Sequence, residues 1–270
     1  MELDWSAAAS GVRLIAHDTI GSTNAEALTL ARADEPGPLW VTAARQTAGR
    51  GRRGRTFVSE PGNLFASLML IDPSPADHAA ELSFVAALAL HDAILERAPA
   101  LARRLNVKWP NDLLCDGAKL AGILVEGESG SGRALVAVVG IGVNCAHHPA
   151  DMSYPATDLA ACGVLVTVPD LFAALSRTML RRLEEWDRGA GFAATRRAWL
   201  ARAVGLGERV SVRLSDSELV GCFETLDSAG RLVLRRDDGR TELVTVGDVF
   251  PLALPRGGAA HALQAAGEAP

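Results

Sequence analysis

Five arginines fall within the eleven residues from Arg45 to Arg55, and no acidic side chain stands among them. Charge at that density cannot be buried unpaired, so Gly49-Arg50-Gly51-Arg52-Arg53-Gly54-Arg55 reads as a loop. The apolar runs on either side, Trp40 to Ala44 and Asn63 to Ile71, read as strands. The loop matches G-x-G-x-x-G, but a dinucleotide-binding loop opens directly into a helix. Here Thr56 to Gly62 is β-branched, then polar, and ends in Pro61-Gly62, which argues against that reading. RNA-binding Arg/Gly segments are repeated and of low complexity, whereas this one occurs once. A solvated basic loop stays open as a reading. The chemistry that would use the pattern is an anion clamp. Glycines let backbone approach a ligand, guanidinium groups grip phosphate oxygens in pairs, and the loop would close when anionic substrates arrive.

Val12 to His17 alternates as a short strand, and Ser22-Thr23-Asn24 supplies cap residues for a helix over Ala25 to Ala33. Asp77 to Ala98 is a long apolar helix. Leu105 to Trp109, Leu120 to Glu126 and Ala134 to Asn144 are strands, the first two separated by the turn at Asp116-Gly117. Helices follow at Pro169 to Trp186 and Phe192 to Ala203, with Pro169 in a first turn. After Gly205 the runs shorten. Glu208 to Leu214, Glu218 to Leu226, Arg231 to Arg236 and Thr241 to Val246 are strands spaced by Gly230 and Asp238-Gly239, the pattern of a small β-barrel. The expected organisation is α+β: a mixed β-sheet flanked by helices over 1–204, a small barrel over 205–255, and an Ala/Gly/Pro-rich flexible tail over 256–270.

A net charge of −5 opposes a general nucleic-acid binder. Cys115, Cys145, Cys162 and Cys222 are scattered, without a C-x-x-C pair, so isolated thiols in a reducing compartment are expected rather than disulfides or zinc. His147-His148 lacks a supporting cluster, and no metal site is assigned to it. No signal peptide or bilayer-spanning run is visible, and the cytoplasm follows by default.

Lys108-Trp109-Pro110-Asn111-Asp112 ends a strand, since proline stops it, and places Asn111 and Asp112 at the strand's carboxyl end. Asn-Asp after Pro is equally good turn chemistry. Lys119 opens the apolar run to Glu126, where a lone lysine ordinarily snorkels to solvent.

Taken together, these segments resemble the bacterial biotin–protein ligases. Ser22-Thr23-Asn24, Gln46 with the Gly49 to Arg55 loop, Lys108 to Asp112, Lys119 to Glu126 and Gly140-Ile141-Gly142-Val143-Asn144 occur in that family's order. The resemblance implies the class II aminoacyl-tRNA-synthetase-like fold, with an SH3-like barrel after Gly205. It implies activation of biotin by ATP, with Mg²⁺, to biotinyl-5′-AMP, followed by transfer to a lysine of a biotin carboxyl carrier protein. With the Ser-Thr-Asn motif starting at residue 22, it implies the monofunctional type, without a DNA-binding domain, a nucleic-acid partner or a membrane partner, as a monomer or weak homodimer.

By motif position, Ser22, Thr23, Asn24, Gln46, Gly49, Arg50, Lys119, Gly122, Gly140 and Gly142 would bind biotin. Arg52, Arg53, Arg55, Phe57, Asn111, Lys119 and Asn144 would bind ATP. Arg52, Lys119 and Asp112 would be catalytic: the two cations for adenylate formation, and Asp112 to orient the acceptor lysine or accept its proton. Phe57 departs from the tryptophan often found in the family. A lipoate–protein ligase of the same fold, and a non-catalytic RNA-binding module using the arginine loop, are the competing readings.

Overall fold

The computed structural model describes residues 1–129, 134–150 and 154–252; the expected tail at 256–270 lies outside them. The chain opens with a short helix, α1 (Trp5–Ala9). A βαβ unit follows: β1 (Arg13–Ile20), α2 (Thr23–Arg32) and β2 (Leu39–Gln46), whose strands pair in parallel. β3 (Leu64–Ile71) runs antiparallel to β2, and a short 3₁₀ segment, Ala76–Glu81, leads into α3 (Leu82–Arg97). Next come β4 (Leu105–Lys108), β5 (Asp112–Cys115), β6 (Ala118–Glu128) and β7 (Val136–Val143), then α4 (Val168–Trp186) and α5 (Phe192–Leu200). The seven strands form one mixed sheet in the order β1-β2-β3-β7-β6-β5-β4.

The sheet's two faces bury different cores because side chains alternate along each strand. Trp40, Leu68, Val139, Ile141 and Val143 pack on one side with α3, α4 and α5. Val41, Met69 and Val138 pack on the other with Ala27 and Leu28 of α2. The run Ala76–Arg97 is long and apolar enough to cross a membrane, yet 67% of its most apolar stretch is buried in the protein, which makes it a core helix.

The C-terminal segment folds as β8 (Arg209–Arg213), β9 (Glu218–Leu226), β10 (Leu232–Arg235), β11 (Thr241–Val244) and β12 (Asp248–Pro251). The expected barrel is not formed. The strand order is β11-β10-β9-β8-β12, an open antiparallel sheet, and β11 and β12 lie at opposite edges. Closure would require those edges to pair; instead the four-residue β12 pairs with β8 alone. The sheet docks on the larger unit through Trp109, whose buried indole N–H donates to Gly230 O at 3.1 Å, and through Arg196, which donates to Leu226 O at 2.8 Å. Three elements were not anticipated from sequence: α1, β12 and β5, the last because Asn111-Asp112 reads as a turn whereas Asp112 begins a strand.

Candidate active site

Ser22 caps α2, its hydroxyl accepting from the Ala25 N–H at 3.4 Å, and so fixes Thr23 and Asn24 in the first turn beside the sheet. Gln46, at the end of β2, accepts at Oε1 from the Thr23 N–H (2.8 Å) and the Thr23 hydroxyl (3.0 Å) and donates from Nε2 to Ser59 Oγ (2.9 Å). Ser67 Oγ lies 2.7 Å from Thr23 Oγ1 and 2.5 Å from Asn24 Oδ1. Asn24 Nδ2 donates to the Glu126 carboxylate at 2.7 Å, which also takes Arg50 Nη2 at 3.0 Å. The result is a connected polar recess on the α2 side of the sheet. Gly140 and Gly142 share that face of β7 with Val138. A Cβ at Gly140 would lie 2.2 Å from Asn24 Oδ1, and one at Gly142 would lie 2.6 Å from the Phe57 ring, so only glycine lets those side chains lie on the strand.

At the other end, the β4–β5 hairpin sets Lys108 opposite Asp112, and the β5–β6 pairing sets Asp112 opposite Gly122. Asp112 consequently stands between two ammonium groups: Lys119 Nζ is 2.7 Å from Oδ1 and Lys108 Nζ 3.1 Å from Oδ2. Burial opposes the charge on Asp112, but Lys119 and Lys108 outweigh it and hold the carboxyl below the usual range. Burial likewise opposes the Lys119 ammonium, and Asp112 outweighs it, lifting Lys119 above the usual lysine value. Both groups therefore stay charged at neutral pH. Tyr154 presents its ring to both ammonium groups, with its centroid 5.4 Å from Lys119 Nζ and 5.8 Å from Lys108 Nζ. Phe250 of β12 meets Lys108 Nζ at 5.3 Å.

The arginine loop folds back on itself: the Gly51 N–H donates to Arg55 O at 2.7 Å and the Phe57 N–H to Gly49 O at 2.9 Å. Arg52 Nη1 donates to Asn111 Oδ1 at 3.0 Å. Three guanidinium groups converge on Asp248 of β12, Arg52 at 3.7 Å, Arg53 at 3.9 Å and Arg55 at 2.5 Å. Burial pulls Arg52 below the ordinary arginine value, with Asp248 and Asp112 acting against it. Asn144, buried, donates to Thr157 O at 3.0 Å, and Asn111 Nδ2 donates to Ile123 O at 2.5 Å.

One pocket gathers Ser22, Thr23, Asn24, Gln46, Arg50, Arg52, Arg55, Phe57, Asn111, Asp112, Lys119, Gly122, Gly140, Gly142 and Asn144. Gly49 and Arg53 stay outside its lining; Gly49 packs under the Phe57 carbonyl, where a Cβ would approach to 2.4 Å, and Arg53 turns to Asp248. Lys108, Tyr154, Asp248 and Phe250 also line the pocket without having been assigned a role from sequence. Ser67 was missed as well, although a hydroxyl inside the apolar run Leu64 to Ile71 is a signal. Tyr154, the chain's single tyrosine, is another. Asp248 and Phe250 carry no such signal, since they arrive from the far end of the chain.

Fold and pocket define a class of ligases: the model of the biotin/lipoate A/B protein ligase family matches residues 18–144, and that of the biotin protein ligase C terminal domain matches 205–250. The chain is 45% identical over 236 residues to the biotin–[acetyl-CoA-carboxylase] ligase of Paracoccus denitrificans, covering 85% of this chain and 96% of that protein. It is 36% identical over 243 residues to the Mycobacterium tuberculosis protein of the same name, covering 86% of each. The biotin protein ligase from Aquifex aeolicus in complex with biotin and ATP shares the fold, with a TM-score of 0.74 at 24% identity over 88% of this chain and 97% of that one. This chain belongs to the biotin–protein ligase family.

Proposed function

We propose that this chain joins the carboxylate of biotin to the α-phosphate of ATP, releasing diphosphate, and passes the biotinyl group of biotinyl-5′-AMP to a lysine of a biotin carboxyl carrier protein. The observation that carries this reading is the shared pocket, in which a connected polar recess faces a buried Lys119–Asp112–Lys108 cluster beneath a loop of arginines. The Paracoccus relative is named for the same activity, and the similar Aquifex structure is described with biotin and ATP. The free, largely buried cysteines Cys115, Cys145, Cys162 and Cys222 suit a reducing cytoplasm.

The ureido ring of biotin, with N–H donors and one carbonyl, needs few polar groups in an otherwise apolar pocket. Ser22, Thr23, Asn24, Gln46 and the Arg50 backbone supply them, while Gly140 and Gly142 let Asn24 and Phe57 lie close on β7 and so shape the floor on which the ring rests. Two unit charges 4 Å apart repel by about 4 kcal/mol at an effective dielectric near 20, so the approach of the biotin carboxylate to a triphosphate has to be screened. Lys119 bridges the carboxylate and the α-phosphate, and Arg52, with Arg53 and Arg55, meets the charge that builds on the departing diphosphate. Phe57, Asn111 and Asn144 border the adenylate. In the second step the neutral acceptor amine bonds to the acyl carbon, AMP leaves with the electron pair of the broken C–O bond, and the surplus proton of the amine passes to water. A carboxylate held below its usual range is a weak base, so Asp112 orients the amine rather than taking its proton. The two carboxylates lining the pocket, Asp112 and Asp248, are already paired with resident cations, so Mg²⁺ enters on the phosphates of ATP.

Biotin-dependent exchange of diphosphate into ATP tests the reading. Arg52→Ala and Lys119→Ala should each lower the exchange rate by about 10²–10³, and lipoate should not replace biotin. No exchange in the wild type, or exchange undiminished in both variants, would remove it.

A further inference from the structure

Two aromatic side chains from distant parts of the chain face the paired lysines, and neither belongs to the five motif segments of the sequence. Tyr154 is held there by backbone pairing with Lys119 itself: the Lys119 N–H donates to Pro155 O at 2.8 Å and the Thr157 N–H to Lys119 O at 2.9 Å. That pairing lays residues 154–157 along the start of β6 and turns the tyrosine ring over both ammonium groups, 5.4 and 5.8 Å from its centroid. The Phe250 ring centroid lies 5.3 Å from Lys108 Nζ, and the Arg213 guanidinium lies 4.9 Å from the same ring. Among the described residues, Tyr154 and Phe250 are the aromatic groups in cation–π contact with Lys108 and Lys119.

The chemistry of an ammonium explains why a ring suits this place. A cation that polarises a substrate must be shielded from water, yet it must keep N–H donors for the substrate's oxygens. An ammonium has three such donors. A further carboxylate or carbonyl near Lys119 would shield it but consume them. An aliphatic wall would shield it and leave its lost hydration uncompensated. The face of an aromatic ring attracts the charge without taking a donor in a conventional hydrogen bond, and on Lys119 a hydrogen bond to the Tyr154 side chain adds to that attraction.

We propose that Tyr154 and Phe250 are positioning residues, an aromatic bracket that holds Lys119 and Lys108 on Asp112 while leaving their remaining N–H donors for the reacting carboxylate and phosphate. The inference rests on the adenylation reading above and deepens it. It also makes the open C-terminal sheet a contributor to the reacting end of the pocket, through Phe250.

The test is biotin-dependent ATP–diphosphate exchange by the full chain, with kcat and KM determined for the wild type, Y154F, Y154L and F250L, and a thermal midpoint for each. Y154F keeps the ring and should stay within about twofold of wild type, whereas Y154L should lose about tenfold in kcat with KM for biotin and ATP changed by less than about threefold. F250L leaves the Pro155–Thr157 pairing untouched and should lose several-fold in kcat, which reads the bracket even if Y154L folds poorly. Unchanged kcat in both leucine variants overturns the bracket. So does a Y154F defect as deep as that of Y154L, which would assign the role to the hydroxyl. Either failure leaves wild-type exchange intact, whereas a wild type without exchange overturns the adenylation reading and the bracket with it.

Discussion

Asp112 is a buried carboxylate flanked by Lys119 at 2.7 Å and Lys108 at 3.1 Å, and removing its charge strands two ammonium groups together. Breaking a buried pair of this kind costs about 3–5 kcal/mol, so Asp112→Asn should lower the unfolding free energy by that order. Diphosphate exchange should fall because Lys119 loses its anchor, and transfer to an acceptor domain should fall further; equal losses in the two assays would remove the role of Asp112 in orienting the amine. The pH dependence has a definite sign. The Asp112 pKa is lowered on folding, so its contribution is complete above the unfolded carboxylate value and fades as pH falls through the lowered one. The Lys119 pKa is raised, so its contribution is complete below the unfolded lysine value and fades as pH climbs through the raised one. The stability gap between wild type and Asp112→Asn should therefore be flat from about pH 5 to about pH 10. Denaturant melts across that range check it, and a gap that closes near neutrality would contradict the assignment.

At the scale of elements, α2 does two tasks: its cap shapes the recess, and its body covers the second core. Ser22→Ala should cost about 0.5–1 kcal/mol, the low end for a lost cap because the 3.4 Å bond is long. It should also raise KM for biotin, measured by exchange. The cap and helix were legible because Ser-Thr-Asn before an Ala/Leu-rich run is a local signal. The arginine loop was legible for the same reason, since neither its charge nor its glycines depend on context. β5 was not legible: four residues after a proline look like turn chemistry, and only the antiparallel pairing of Lys108 with Asp112 makes a strand of them. That pairing also turns a motif into geometry, since it sets Lys108 directly across the hairpin from Asp112.

At the scale of the molecule, the open C-terminal sheet is held against the larger unit at Gly230. Its φ of 77° is one that side chains rarely adopt, and a Cβ there would lie 2.7 Å from the Phe84 ring. Gly230→Ala should destabilise the chain by about 1–3 kcal/mol. Because β12 brings Asp248 and Phe250 to the pocket, the same change should weaken ATP binding, measured by calorimetry; a variant that melts early but binds ATP normally would separate the sheet from the site. The strand texture after Gly205 was visible in sequence, but closure was not, since closure depends on which edges meet rather than on how strands are spaced. The reach of Asp248 to the arginine loop was equally invisible, because nothing local links residue 248 to residues 52–55.

That reach bears on how a nucleotide gets in. With Arg52, Arg53 and Arg55 already gathered on one carboxylate, a polyphosphate bound as proposed above would swap places with a resident counter-ion rather than condense onto bare positive surface. The gain is then the difference between a multiply charged tail and a single carboxylate, which discriminates by charge density. At the arginine loop itself, a singly charged group would gain little by replacing Asp248.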